Sequence, residues 1–148
     1  MLRLSKKTDY GLLALRYLAA EAPSGVASAR AIAERYDIPV ELLAKVLQHL
    51  ARRGFVAAQK GAHGGYHLTR PASEISLAEI VQAIDGPLAI TACGEDDEDR
   101  CEQFGACTVR DPLSLVKERI LSVLRDVTLA EMAPSEGPMP MVWRDAAR

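Results

Sequence analysis

Aromatic side chains, cysteines and long apolar runs are all scarce in this sequence, and each scarcity excludes something. Aromatics make up 5% of 148 residues, so the core must be aliphatic. Leu and Ala dominate it, which suits helices better than sheets. No stretch of about 18 apolar residues exists, and no membrane span is expected. The N-terminus, Met-Leu-Arg-Leu-Ser-Lys-Lys, lacks the apolar segment and small-residue cleavage site of a secretory leader, so a cytoplasmic protein is expected. Catalytic signatures are missing as well. No H-E-x-x-H and no Ser–His–Asp pattern occurs, and the glycines at 61–65 precede a strand rather than a helix, unlike a phosphate loop. An enzyme is not expected.

The cysteines number three, and they fall together at Cys93, Cys101 and Cys107. An odd count in one short stretch does not make a disulfide framework and points to metal or redox chemistry. Three thiolates suit an iron–sulfur cluster or zinc. Paired C-x-x-C knuckles are absent, so structural zinc is the weaker reading. A metal-free thiol switch, closing Cys101 on Cys107, is a third. An iron–sulfur carrier is a fourth, and it leaves the basic half of the chain unused. The run Glu95-Asp96-Asp97-Glu98-Asp99 between the first two cysteines reads as a solvated loop.

The net charge of −2 hides an asymmetry. Residues 1–70 carry 11 Lys/Arg against 5 Asp/Glu, and residues 71–148 carry 7 against 15. A basic half is drawn to phosphates, and an acidic half keeps the chain off non-specific DNA.

Periodicity supplies the architecture. Ser5 caps a helix running to about Ala22, and Ser28 caps a second from Ala29 to Tyr36. Asp37-Ile38-Pro39 then makes a tight turn before a third helix, Val40 to Arg53, which buries Leu43, Val46, Leu47 and Leu50. The period then changes. Residues 55–60 and 66–69 read as strands joined by Gly61-Ala62-His63-Gly64-Gly65. Ser76-Leu77-Ala78-Glu79 is a capping box opening a fourth helix to Ile84. Asp111-Pro112 reads as cap and first residue of a last helix, with Val116, Ile120, Val123, Leu124 and Val127 on one face. That stripe is apolar for a terminal helix, and a self-complementary dimer contact would bury it. The expected fold is mainly α: a winged helix-turn-helix with a β-hairpin wing and a long C-terminal dimerisation helix. Its divisions are a DNA-binding domain at 1–84, a cysteine loop at 85–110, the dimer helix at 111–131 and a tail at 132–148 with the composition of disorder.

In such a fold the third helix enters the major groove. Glu41 and Gln48 are its candidates for reading bases. Lys45, Arg52 and Arg53 are candidates for phosphate, joined by Ser28 and Arg30 at the start of the second helix. Lys60 and His63 flank the hairpin tip, where glycines would let the backbone approach a groove. His49, His63 and His67 are assigned to this DNA face.

Leu2-Arg3-Leu4, Thr8-Asp9-Tyr10-Gly11-Leu12, Ile38-Pro39, Gly54-Phe55-Val56 and Gly61-Ala62-His63-Gly64-Gly65-Tyr66-His67-Leu68, followed by the cysteines, resemble the Rrf2 family, the IscR/NsrR type of bacterial transcription regulator. The likeness covers roughly residues 1–131 and is nearest to the SUF and NsrR branches. It implies a homodimer on a partly palindromic operator in double-stranded DNA, with an iron–sulfur cluster on Cys93, Cys101 and Cys107. Two departures stand out. Members commonly leave five residues in each cysteine gap, whereas here the gaps are seven and five. The IscR branch has a histidine three positions after the third cysteine, and here that residue is Arg110. The NsrR likeness at Thr8-Asp9-Tyr10 implies Asp9 of the partner subunit as an oxygen ligand and favours 4Fe–4S over 2Fe–2S. The plainer reading of Asp9 is an ion pair with Lys6 or Arg16.

Overall fold

Three serines start three helices. Ser5, Ser28 and Ser76 all have extended backbones, and their hydroxyls accept from the amides of Thr8, Ala31 and Glu79. Each supplies a partner to one of the amide groups that a helix start leaves open. The helices they open are α1 (Lys6–Ala20), α2 (Ala29–Tyr36) and α4 (Leu77–Asp85). At Ser76 the box is complete, because the Glu79 carboxylate accepts the Ser76 backbone N–H. That bond, with Arg70 beside it, holds the Glu79 carboxyl below its ordinary range despite partial burial. The computed structural model describes residues 3–22, 25–91 and 102–132.

α2 stops at Asp37, the sole non-glycine residue with positive φ (52°) among those described. Pro39 follows and α3 (Val40–Arg52) begins directly after it. The turn is thus set by one left-handed residue and one proline. Leu43, Val46, Leu47 and Leu50 are buried as the period requires. They meet Ala14, Leu15 and Leu18 of α1, Ile32 of α2 and Ile80 of α4 in a single core.

Past Gly54 the chain reverses into β1 (Val56–Gln59) and β2 (Gly65–Leu68), an antiparallel pair in the register Val56↔Leu68 and Gln59↔Gly65. A lone bridge, Ala27↔Tyr66, fastens the hairpin to the segment ahead of α2. That bridge changes the meaning of the turn glycines. A Cβ on Gly65 would collide with the Ala27 carbonyl, and one on Gly64 with the Gln59 carbonyl. Both glycines therefore serve the hairpin's own packing. Only Gly61, at φ 122°, needs a left-handed backbone.

The last helix, α5 (Arg110–Asp126), departs from expectation at its start. Its cap is Val109, which offers no side-chain bond, and Asp111 lies inside the first turn, 3.1 Å from the Arg110 guanidinium. Pro112 is tolerated there because first-turn amides have no intrahelical partner to lose. The apolar face also splits. Leu121, outside the expected stripe, is 4% exposed and holds α5 against its own domain, whereas Val116 and Val123 are 45% and 62% exposed. Backbone bonds from Leu77 to Val127 (2.8 Å) and from Leu129 to Ile75 (2.8 Å) secure the far end. Among the described residues no helix is long and apolar enough to cross a membrane.

Candidate nucleic-acid interface and cysteine loop

Opposite the buried side of α3 runs an exposed stripe, Glu41, Lys45, Gln48 and Arg52, spaced by four, three and four residues. Such spacing keeps all four on one helix face. Lys45, Arg52 and Arg53 have no ion pair among the described residues, and neither have Arg30 and Lys60. The contrast is with Arg16 and Arg35, which both pair with Glu21, and Arg70, which pairs with Glu79. Basic groups left free on one side and spent internally elsewhere are what a phosphate-binding surface requires. Ser28 is exposed, its hydroxyl oxygen accepting the Ala31 amide to cap α2, with Arg30 exposed two residues along. Lys60 and His63 are exposed at the hairpin end.

Beside this stripe α1, α3 and α4 enclose a groove of 640 Å³. Tyr10, Leu42, Val46 and Ile84 form its apolar floor, and Lys6, Lys7, Lys45 and Arg52 its rim. Lys6 and Lys7 were not among the sequence candidates. A signal for them existed: they are cations in the first turn of a helix, the end whose dipole favours negative charge. Neither makes an ion pair among the described residues, although the Lys7 charge acts on Asp85.

The last turn of α4 is fastened twice. Ser5 donates to Asp85 through its backbone amide (3.1 Å) and its hydroxyl (2.5 Å), which joins the start of α1 to the end of α4. Burial would push the Asp85 carboxyl up, but the hydrogen bonds from Ser5 and Thr8 and the Lys7 charge outweigh it and hold it below the ordinary value. One residue earlier but one, the Ala83 carbonyl lies 2.8 Å from His49 Nε2 of α3. His49 therefore spends one ring nitrogen on α4, although it lies beside Lys45 and Arg52 on the wall of the same groove. His67 is withdrawn: its Nδ1 is buried and has no partner among the described residues. Of the three histidines assigned to the DNA face, His63 alone is exposed.

Of the cysteines, Cys107 is half-buried and free, three residues ahead of α5. Cys93, Cys101 and the acidic run lie outside the described residues. Among the described residues no three potential ligands converge on a metal site. Asp9 is half-buried on α1 and makes no side-chain bond among the described residues, where Arg16 turns to Glu21 instead. The ion pair with Lys6 or Arg16 is thus not formed, and the carboxylate keeps its lone pairs. Thiolates are the ligands that iron–sulfur clusters take.

The profile of the Rrf2 family, described as iron-dependent transcriptional regulator, matches residues 4–135. Solved structures agree in fold. CymR, the global cysteine regulator of B. subtilis, is 27% identical, with a TM-score of 0.73 over 90% of this chain and 97% of that one. IscR of T. potens is 29% identical, with a TM-score of 0.69 over 88% of this chain and 85% of that one. The oxidized form of Staphylococcus aureus CymR is 25% identical, with a TM-score of 0.70 over 93% of this chain and 100% of that one.

Proposed function

Because this chain belongs to the Rrf2 family and is a transcription regulator built on a DNA-binding winged helix, we propose that an iron–sulfur cluster on Cys93, Cys101 and Cys107 sets its operator affinity. The observation that carries this is the donor set: three thiols within one loop, with Cys107 beside α5 and the Asp9 carboxylate both without a partner among the described residues. Arg110 stands where a histidine would be the fourth ligand, and its guanidinium cannot bind metal. Asp9 of a second copy is the better donor, and a 4Fe–4S cluster is favoured over 2Fe–2S. When bound, such a cluster would leave one weakly held iron open to oxygen or nitric oxide.

On the DNA side, Glu41 and Gln48 are placed to read bases, while Lys45, Arg52, Arg30, Ser28 and the wing residues Lys60 and His63 hold phosphates. Val109, Leu113, Val116, Ile120, Val123 and Val127 recur at alternating intervals of four and three residues. That is the seam of a two-helix contact, and it pairs α5 with a second α5 in a homodimer on a partly palindromic operator. Drawing the three cysteines together constrains the segment that joins α4 to α5, and so sets the angle between the two DNA-reading heads. Releasing them shifts the population toward the weaker-binding or stronger-binding form by the difference in affinity between the two.

The test is an absorption spectrum of protein purified without oxygen, with iron and sulfide quantified on the same sample. A brown protein with both elements supports the reading, and a colourless one with zinc or no metal overturns it. One observation favours a second reading. A similar regulator, S. aureus CymR, has an oxidized form, so a Cys101–Cys107 disulfide could switch a metal-free protein. In that case oxidation alone would change operator affinity, and Cys101→Ser would abolish the change.

A further inference from the structure

We propose that a cleft behind the wing is the docking site of this chain's own C-terminal segment, with Trp143 as the residue that enters it. The cleft, of 420 Å³, lies between the end of α1 (Leu18, Ala19), the loop at Val26, and β2 with the chain that follows (His67, Leu68, Ala72). It falls at the small end of the roughly 300–1,000 Å³ typical of ligand sites and has room for one indole.

One wall holds an unmade bond. His67 Nδ1 is shut off from solvent and has no hydrogen-bond partner among the described residues. A buried polar nitrogen without a partner is a standing cost to the fold, and in the tautomer that carries its proton on Nε2 this one accepts. Tryptophan offers the matching group, since its ring N–H donates and cannot accept.

The occupant is identified by where the described chain leaves the domain. The Ala130 amide donates to the Ala72 carbonyl at 3.2 Å, and Ala72 itself lines the cleft. The backbone is thus delivered to the cleft's edge at residue 130. Trp143 follows thirteen positions later, at the end of the apolar run Met139-Pro140-Met141-Val142-Trp143, with Arg144 and Asp145 beyond. Thirteen residues reach about 43 Å when extended, ample for a return to a site that begins next door. A tether this short gives an effective concentration on the order of millimolar, at which a single aromatic anchor suffices. Docking would tie the chain after α5 to the wing, because His67 pairs with Ala57 across the hairpin.

Trp143 is the chain's one tryptophan, so its fluorescence reports the contact directly in the full-length protein. Emission should lie to the blue of the same protein in denaturant, and acrylamide should quench it severalfold less. Ala19→Arg fills the cleft from an exposed helical position, and His67→Ala removes the acceptor. Each should move emission to the red and raise quenching while circular dichroism shows the helices intact. Denatured-like emission from the unaltered chain overturns the proposal. So does a buried emission that neither variant moves, since Trp143 would then be held elsewhere, as by a second copy. Neither DNA nor a cluster enters the measurement, so its outcome stands apart from the regulatory reading.

Discussion

Ser5 is one residue with two partners: its oxygen accepts the Thr8 amide while its proton goes to Asp85. Replacing it by Ala removes a helix cap and strips a carboxylate of its donor, which should cost about 1–2 kcal/mol in urea unfolding. Asp85 titrates below its ordinary value of 3.8 in the folded chain. Its contribution is therefore complete above that value and is lost as pH falls through the depressed one. Asp85→Asn should flatten that part of the acid limb, by a small amount because the group is largely exposed and screened. On the DNA side, Arg52→Glu and Lys60→Glu should weaken operator binding and leave any chromophore unchanged. Lys6→Gln and Lys7→Gln should each lower the salt dependence of binding by about one ion if the groove rim meets phosphate. An unchanged slope would assign the groove to something other than DNA. Cys101→Ala should abolish the chromophore yet leave a folded dimer, and an unfolded product would make the loop structural.

Among the elements, those with a local chemical signal were legible. Serine caps, a proline turn and a change of period placed α1 to α4 and the hairpin within a residue or two. α5 was misplaced at its start because Asp-Pro resembles a cap and first residue, while the actual cap, Val109, carries no signal at all. Leu121 was missed for a different reason. It lies on the flank that meets α4, and helical spacing reveals a face but not which neighbour will cover it. The two flanks predict different phenotypes. Val116→Asp with Val123→Asp should give a folded monomer in sedimentation, whereas Leu121→Ala should destabilise each subunit by about 2–5 kcal/mol. Gly65→Ala should also be costly, since its methyl group would break the Ala27–Tyr66 bridge and free the wing.

Across the whole molecule, the recognition stripe was readable because one helix carries it. The groove was not, because Lys6 and Lys7 reach Lys45 and Arg52 only once α1 has packed on α3. His49 illustrates the same limit: its bond to a carbonyl of α4 forms only once α3 and α4 have packed together. The doubly fastened end of α4 has one more consequence. Ser5–Asp85 and His49–Ala83 clamp α1, α3 and α4 together just ahead of Gly86, which adopts a glycine-favouring backbone (φ 86°). Displacement of the cysteine loop should then leave the head intact as one block, with α5 still fastened to it through Leu121 and the Leu77–Val127 bond, and should move only the chain that leaves at Gly86. Amide hydrogen exchange should accordingly stay slow in α3 whatever the state of the loop, while protection changes begin at Gly86 and run onward from it.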